Sequence, residues 1–327
     1  MVAPSPPLEP FLTYARFRFH LRVKTLMVLP PYKGAVFRGA FGNRLKRLVC
    51  VAPRTDCRDC LVHARCLYLT LFEPQPPSGY ADAGKFRQAP RPYVLNPPLT
   101  PRQVFHPGEI LDFELVLIGP AIDALPYFIH IFQELGQKGL GPERGRYALL
   151  QVEVWQNGGA VPLYAHDTFF AHRFAVESGM RVMPGDEAVT AVTLELLTPM
   201  RLKVRGDLAT SLTFLLFWEH LSRRLDLLAA FYGQAGGGVA WSVLGSRAAT
   251  IATQTDRLQW YDWERYSRRQ QESMKLGGLQ GAITFRGNLG PFLPYLRLGE
   301  HLHVGQGTTF GLGGYKLATN SAADCSG

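Results

Sequence analysis

From Tyr14 to Lys24 the chain alternates without a break. Ala15, Phe17, Phe19, Leu21 and Val23 carry the apolar side chains, and Tyr14, Arg16, Arg18, His20, Arg22 and Lys24 fall between them. A period of two sends successive side chains to opposite faces, so this segment reads as a strand with one core face and one almost wholly cationic face. The cationic face has two uses open to it: a solvated exterior, where Lys and Arg commonly sit, or a sheet surface that meets phosphates. On the second use Arg16, Arg18 and His20 are candidate contacts.

A turn at 29–34 leads into a predicted helix from Ala35 to Val49. Phe37, Phe41, Leu45 and Leu48 form its apolar stripe, with Arg38, Arg44, Lys46 and Arg47 outside it. Gly39 and Gly42 lie inside this helix, where each costs about 1 kcal/mol relative to alanine. Close packing, or the close approach of a ligand backbone, would compensate. Further strands read at Leu111–Ile118 and Tyr147–Trp155, with a helix from Ala121 to Leu135 between them. Residues 74–108 are rich in proline and read as a surface excursion. A second half begins near Glu187 with a strand through Leu197, then a long helix from Thr210 to Tyr232, a strand at Leu279–Phe285 and a last strand at Tyr315–Leu317.

The halves echo each other. Leu125-Pro126-Tyr127 and Leu293-Pro294-Tyr295 lie 168 residues apart; Gly139-Leu140-Gly141 and Gly311-Leu312-Gly313 lie 172 apart. Two matches in one order at nearly one offset suggest a duplicated domain. The 327 residues are enough for about two domains. The fold class expected is therefore α+β, with tandem ferredoxin-like (RRM-like) βαββαβ domains at 12–165 and 185–318 and a small zinc-binding insertion after the first helix.

Four of the five cysteines, Cys50, Cys57, Cys60 and Cys66, fall within 17 residues, with His63 among them. Cys57-Arg-Asp-Cys60 has the spacing by which two thiolates grip one tetrahedral ion; Cys50 and Cys66 could close a four-cysteine shell, or His63 could replace one of them. Four ligands leave no open position, so the expected zinc is structural. Four ordinary half-buried thiols are the plain alternative. Cys325, in the Ser/Ala/Gly tail, reads as unrelated.

Lys and Arg number 35 against 26 Asp and Glu, a formal net charge of +9, which favours a polyanionic partner with nucleic acid first. No apolar run reaches the length that spans a bilayer, and the N-terminus has neither a basic start nor an apolar signal core, so a cytoplasmic protein is expected. The segment Gly305-Gln-Gly-Thr-Thr-Phe-Gly-Leu-Gly-Gly314 lacks the helix, strand and acidic residue of a dinucleotide site and the Gly-Lys-Ser/Thr of a Walker loop. It remains a loop whose backbone N–H groups could face phosphates, or a plain glycine turn. His166-Asp167 with His172 is only a fragment of a metal-dependent phosphohydrolase set. Trp260–Gln270 interleaves aromatics with arginines, which suits base stacking and also a hairpin edge.

Several motifs then coincide: Gly34-x-x-x-Arg38-Gly39-x-x-Gly42 at the first helix, the cysteine cluster after it, Leu67-Tyr-Leu-Thr-Leu-Phe-Glu-Pro, Gly139-Leu-Gly with Arg144-Gly-Arg-Tyr147, Arg265-Tyr-Ser-Arg-Arg-Gln, and His303-Val-Gly-x-Gly-Thr-Thr-Phe-Gly-Leu-Gly. Together they resemble the CRISPR-associated precursor-RNA processing endoribonucleases of the RAMP superfamily, in the branch with a cysteine cluster in the first domain. The resemblance covers residues 14 to 317. It implies tandem ferredoxin-like domains that hold CRISPR repeat RNA, as crRNA precursor or product. It also implies metal-independent cleavage by the RNA's 2′-hydroxyl, leaving a 2′,3′-cyclic phosphate and mature crRNA. The alternative is a non-catalytic RAMP subunit that binds guide RNA in an effector complex. Many relatives carry a catalytic histidine in or before the first helix, whereas residues 25–49 here contain none. The expected catalytic set is therefore His303 as base or acid, with Tyr32, Lys33 and Arg38; the plain alternative for His303 is that it merely packs against its strand neighbours. His301 is expected two residues earlier on the same strand face. RNA contacts are expected from Arg16, Arg18, His20, Arg44, Lys46, Arg47, Gly305, Gly307, Gly311 and Gly313. Zinc would stand outside the chemistry, which needs no cofactor.

Overall fold

The computed structural model describes residues 12–75, 89–156, 158–170, 177–179, 189–233, 241–262, 264–267, 272–275 and 277–320. The Pro-rich arm, much of the Pro-rich excursion, His172, Glu187 and Cys325 lie outside them, as do Arg268, Arg269 and Gln270 of the aromatic–arginine segment. The chain forms two compact units, one spanning Thr13–Glu177 and the other most of the described residues from Ser178 onward.

In the first unit β1 (Leu12–Val23) is followed by α1 (Gly34–Val49), α2 (Leu67–Phe72), β2 (Tyr93–Asn96), β3 (Ile110–Ile118), α3 (Leu125–Lys138), β4 (Tyr147–Gln156) and β5 (Gly159–Ala165). Sheet order is β2-β3-β1-β4-β5, each of these pairs antiparallel, and the short strands Thr168–Phe169 and Glu177–Gly179 join the same sheet beside β5 and β1. The four strands up to β4 have the order of a ferredoxin-like βαββαβ unit, and β5 extends it as a hairpin. The apolar face of β1 sits under α1 and α3. Phe19 stacks on Phe113 with centroids 4.6 Å apart, and Phe132 meets Phe113 at 4.5 Å. From α1, Phe37 meets Phe113 edge-on at 5.2 Å. Leu48, expected in the apolar stripe, is 42% exposed, because the stripe drifts off the sheet at the last turn of α1.

The two helix glycines have different reasons. A Cβ on Gly42 would stand 2.5 Å from the ring of Phe72, so this glycine is what lets α2 press its aromatic ring onto α1. A Cβ on Gly39 would meet nothing within 4 Å. Gly42→Ala is therefore expected to destabilise the unit by about 1–3 kcal/mol through overpacking. Gly39→Ala should stabilise it by about 0.5–1 kcal/mol through helix propensity alone. Urea unfolding of the two variants checks both signs; equal shifts would contradict this packing.

The second unit repeats the plan with β6 (Ala191–Met200), α4 (Phe214–Tyr232), α5 (Trp241–Ala248), β7 (Ala252–Tyr261), β8 (Gly278–Arg286), α6 (Leu293–Leu302) and β9 (Tyr315–Asn320). Its sheet order, β7-β8-β6-β9, is the ferredoxin-like order again. Its core is aromatic as well: Trp218 of α4 meets Phe292 edge-on at 4.8 Å, and Phe214 meets Phe285 at 5.3 Å. The long helix starts later than expected because Thr213 caps it, its hydroxyl oxygen accepting the amide of Leu216 at 3.2 Å. Likewise the expected helix at 121 opens as a 3-10 turn over Gly119–Ala124, and the α-helix begins at Leu125.

The internal repeat falls on equivalent places. Both Leu-Pro-Tyr tripeptides open the last α-helix of their unit, with the proline at its first turn, where the missing N–H costs no helical bond. Both Gly-Leu-Gly tripeptides lie between that helix and the closing strand. Gly139, Gly141, Gly311 and Gly313 have φ of 86°, 80°, 83° and 72°, and Leu140 and Leu312 are both buried. No helix among the described residues is long and apolar enough to cross a membrane.

Candidate functional site

The outer face of β1 is not the bare cationic surface its own sequence suggests. Register pairs Arg18 with Glu114 on β3 and Glu153 on β4, and His20 with Asp112. Arg18 donates to Glu114 at 2.7 Å, and this bond holds its guanidinium above its ordinary pKa. The two ring nitrogens of His20 stand 2.9 Å from Asp112 Oδ1 and 2.9 Å from Glu153 Oε2. Arg16 and Arg18 also lie 5.6 and 5.4 Å from the ring centre of Trp155. The face is a cross-strand ladder of paired charges, so a phosphate there competes with carboxylates already in place.

On α1, Arg44 makes a two-pronged pair with Glu134 of α3, Nε to Oε2 at 2.6 Å and the second nitrogen to Oε1. Lys46 sits 5.2 Å from the ring centre of Tyr68. Lys46 and Arg47 are exposed on the last turn and retain access to solvent. Before the helix, Lys33 is completely buried. Its ammonium donates to the carbonyls of Pro31 at 3.0 Å and Thr100 at 2.6 Å, and burial together with Arg102 brings its pKa down to about 8. Burial pushes the Tyr32 phenol well above its usual range. Arg38 stacks over the Phe72 ring at 4.7 Å, and Arg91 donates to the Phe72 carbonyl at 2.6 Å. Burial, then the nearby Arg38 charge, lowers the Arg91 pKa. Two cations therefore converge on one aromatic residue.

In the second unit His303 does not lie on a strand with His301. His301 is half-exposed on the last turn of α6, and His303 caps that helix with φ of 59°. The His303 side chain is buried, with Nδ1 3.1 Å from the carbonyl of Leu312. Burial lowers its pKa to about 4, so the ring is neutral near pH 7. Gly314 makes room for it: a Cβ there would stand 2.7 Å from the imidazole.

The glycine loop is built around that ring. Gly305, Gly307, Gly311 and Gly313 all have positive φ. A Cβ on Gly305 would come within 2.5 Å of the Arg201 carbonyl, and one on Gly313 would collide with the Val304 carbonyl. Thr198 ties the loop to β6, donating to Gly311 O at 2.8 Å while accepting the amide of Gly314 at 2.8 Å. The amides of Val304, Gln306, Phe310, Gly311, Leu312 and Gly313 all donate to protein carbonyls. Most of the N–H groups expected to face phosphates thus turn inward, and Gln306 is the exposed residue of the loop.

The four cysteines between α1 and α2 line one small cavity with Lys46 and Tyr68. His166 and Asp167, with φ of 49° and 59°, are a tight hairpin turn after β5, and Asp167 accepts hydrogen bonds from Tyr164 and Gln133. Sequence reading misses the acids of the β1 ladder, Arg91 and Thr198. Asp112 and Glu114 are visible as the polar half of an alternating strand, but only register shows which cations they meet.

Two protein-family models match the chain. One, described as the AF_1859_N N-terminal domain, covers residues 12–176, and one described as CRISPR-associated endoribonuclease Cas6 covers 194–315. An uncharacterized protein of Archaeoglobus fulgidus is 29% identical over 211 residues, 64% of this chain and 66% of that protein. Among solved structures, Thermus thermophilus Cas6 aligns with a TM-score of 0.55 at 14% identity, over 94% of this chain and 99% of its own. A Cas6 product complex aligns at 0.54 and 17%, over 94% and 99%. A partial Cas6-RT-Cas1–Cas2 complex aligns at 0.59 and 14%, over 96% of this chain but 47% of that one, so this chain spans about half of that longer protein. At these identities the structures establish the shared fold.

Proposed function

The chain belongs to the Cas6 family of CRISPR-associated endoribonucleases, and we propose that it binds CRISPR repeat RNA and cuts it through the RNA's own 2′-hydroxyl. Such cleavage is metal-independent and leaves a 2′,3′-cyclic phosphate and a 5′-hydroxyl. The observation that carries this reading is the glycine loop, which closes the segment matching the Cas6 model and is held rigidly by backbone conformations that only glycine adopts readily.

The reaction requires a base for the 2′-hydroxyl, an acid for the departing 5′-oxygen, and cations for the charge that develops on phosphorus. Arg38 is assigned to the last of these. Tyr32 shapes the turn before α1, and its raised pKa suits a hydrogen-bond donor better than a base. Lys33 and His303 act as positioning residues: Lys33 pins the turn to Thr100, and His303 props the glycine loop from beneath. Lys46 and Arg47 supply phosphate contacts.

The rival reading, a subunit that holds guide RNA in an effector complex without cutting it, draws support from one observation. The imidazole and the ammonium expected to move protons, those of His303 and Lys33, are both buried.

Both readings require RNA binding that weakens with salt. For single-stranded RNA the logarithm of affinity should fall by about 0.7 per neutralised phosphate for each tenfold rise in salt. Titrating repeat RNA from 50 to 500 mM salt, as rough bounds for such a series, should show a slope of several. Affinity indifferent to salt would overturn both.

A further inference from the structure

We propose that Cys50, Cys57, Cys60 and Cys66 bind one zinc ion as a structural four-thiolate site that organises the segment between α1 and α2. The reading stands apart from the RNA chemistry and does not depend on it.

This segment has no core of its own. Between Cys50 and Cys66 no residue is buried, and apart from Ala52 the four cysteines are the only ones not exposed. Val51, Leu61 and Val62 are 75%, 101% and 46% exposed; Val51 and Val62 border the cavity the cysteines share, but none of the three is buried, so no buried apolar cluster holds these residues together. The backbone is tied only by short turns, among them Asp59 N to Asp56 O, His63 N to Cys60 O and Cys66 N to His63 O. A chain with this little apolar burial needs another organiser, and four thiolates on one ion are a common one.

The four cysteines also share one cavity, of ≈ 20 Å³, which is room for a single ion or water. Lys46 borders it, and its charge offsets part of the net negative charge of four thiolates on a divalent cation. Among the described residues no group of three His, Cys, Asp or Glu side chains stands close enough to hold a metal ion, so binding requires the thiols to move inward across the cavity they share.

The geometry separates His63 from the set. It does not line the cavity; its ring is exposed and Nδ1 faces the Cys60 carbonyl at 3.0 Å. The four cysteines therefore make up the whole ligand set, with His63 stabilising the turn outside it.

The test is elemental analysis for zinc and iron on the full chain purified without chelator. The expected result is about one zinc per chain, lost in Cys60→Ser and retained in His63→Ala. Cobalt exchanged into the unmutated protein should give tetrahedral thiolate absorption, so the result does not depend on a cysteine variant folding. Trypsin should cut at Arg54, Arg58 and Arg65 at least tenfold faster after metal removal. Stoichiometric iron, a missing pair of titratable thiols without metal, or zinc retained equally by Cys60→Ser would each overturn the proposal.

Discussion

Replacing Gly313 with alanine is expected to destabilise the second unit by about 3 kcal/mol or more and to abolish repeat-RNA binding with it. Two costs combine. The residue sits at φ 72°, where an L side chain is strained, and its Cβ would fall onto the carbonyl oxygen of Val304. That carbonyl is backbone and cannot swing aside as a flexible side chain would. Relief requires breaking the contact between Val304 N and Gly313 O, or pulling Gly313 N away from Pro199 O. Either movement opens the loop beneath which His303 is packed. Urea unfolding and RNA affinity measured on the same preparation check the claim. Gly206→Ala is the control, since Gly206 also has positive φ, 103°, but a Cβ there meets nothing within 4 Å. Equal losses in the two variants would mean that backbone strain, not the crowded loop, sets the cost.

Acid should loosen the same unit. His303 is held near pKa 4 in the folded protein, chiefly by burial, against 6.5 when unfolded. Above pH 6.5 the ring is neutral in both states and the term contributes nothing. As pH falls from 6.5 to 4 the unfolded chain takes up a proton that the native chain refuses, so stability declines through that window and this contribution levels off below it. The full loss is about 3 kcal/mol. His303→Asn, a residue that tolerates positive φ, removes the titration and should flatten the pH dependence of unfolding between pH 6.5 and 4. Parallel curves for the parent and the variant would contradict the buried, neutral imidazole.

Much of the architecture can be read from the chain. The alternation in β1 needs no partner to be seen, and the Leu-Pro-Tyr and Gly-Leu-Gly echoes mark equivalent joints because helix starts and positive-φ turns are local demands on residue type. The site is harder. The cations of β1 look free in the sequence because Glu114, Asp112 and Glu153 are about 90 to 130 residues away and meet them only through register. His303 reads as a reactive imidazole because its place before the glycine loop is visible in sequence, whereas its burial under Leu312 and Gly314 is a property of the closed loop. Gly42 can be suspected of close packing, but that its neighbour is Phe72 depends on how α2 folds back over α1.

The central claim is that this chain cuts repeat RNA by using the RNA's own hydroxyl. The most direct test incubates the purified protein with the repeat RNA of its own genomic neighbourhood in excess EDTA, beside copies carrying one 2′-deoxy sugar at each position in turn. Cleavage that persists in chelator, vanishes with a single deoxy substitution and leaves a cyclic phosphate is the predicted result. Tight, salt-sensitive binding with every copy left intact would contradict the nuclease and leave the guide-holding subunit in its place.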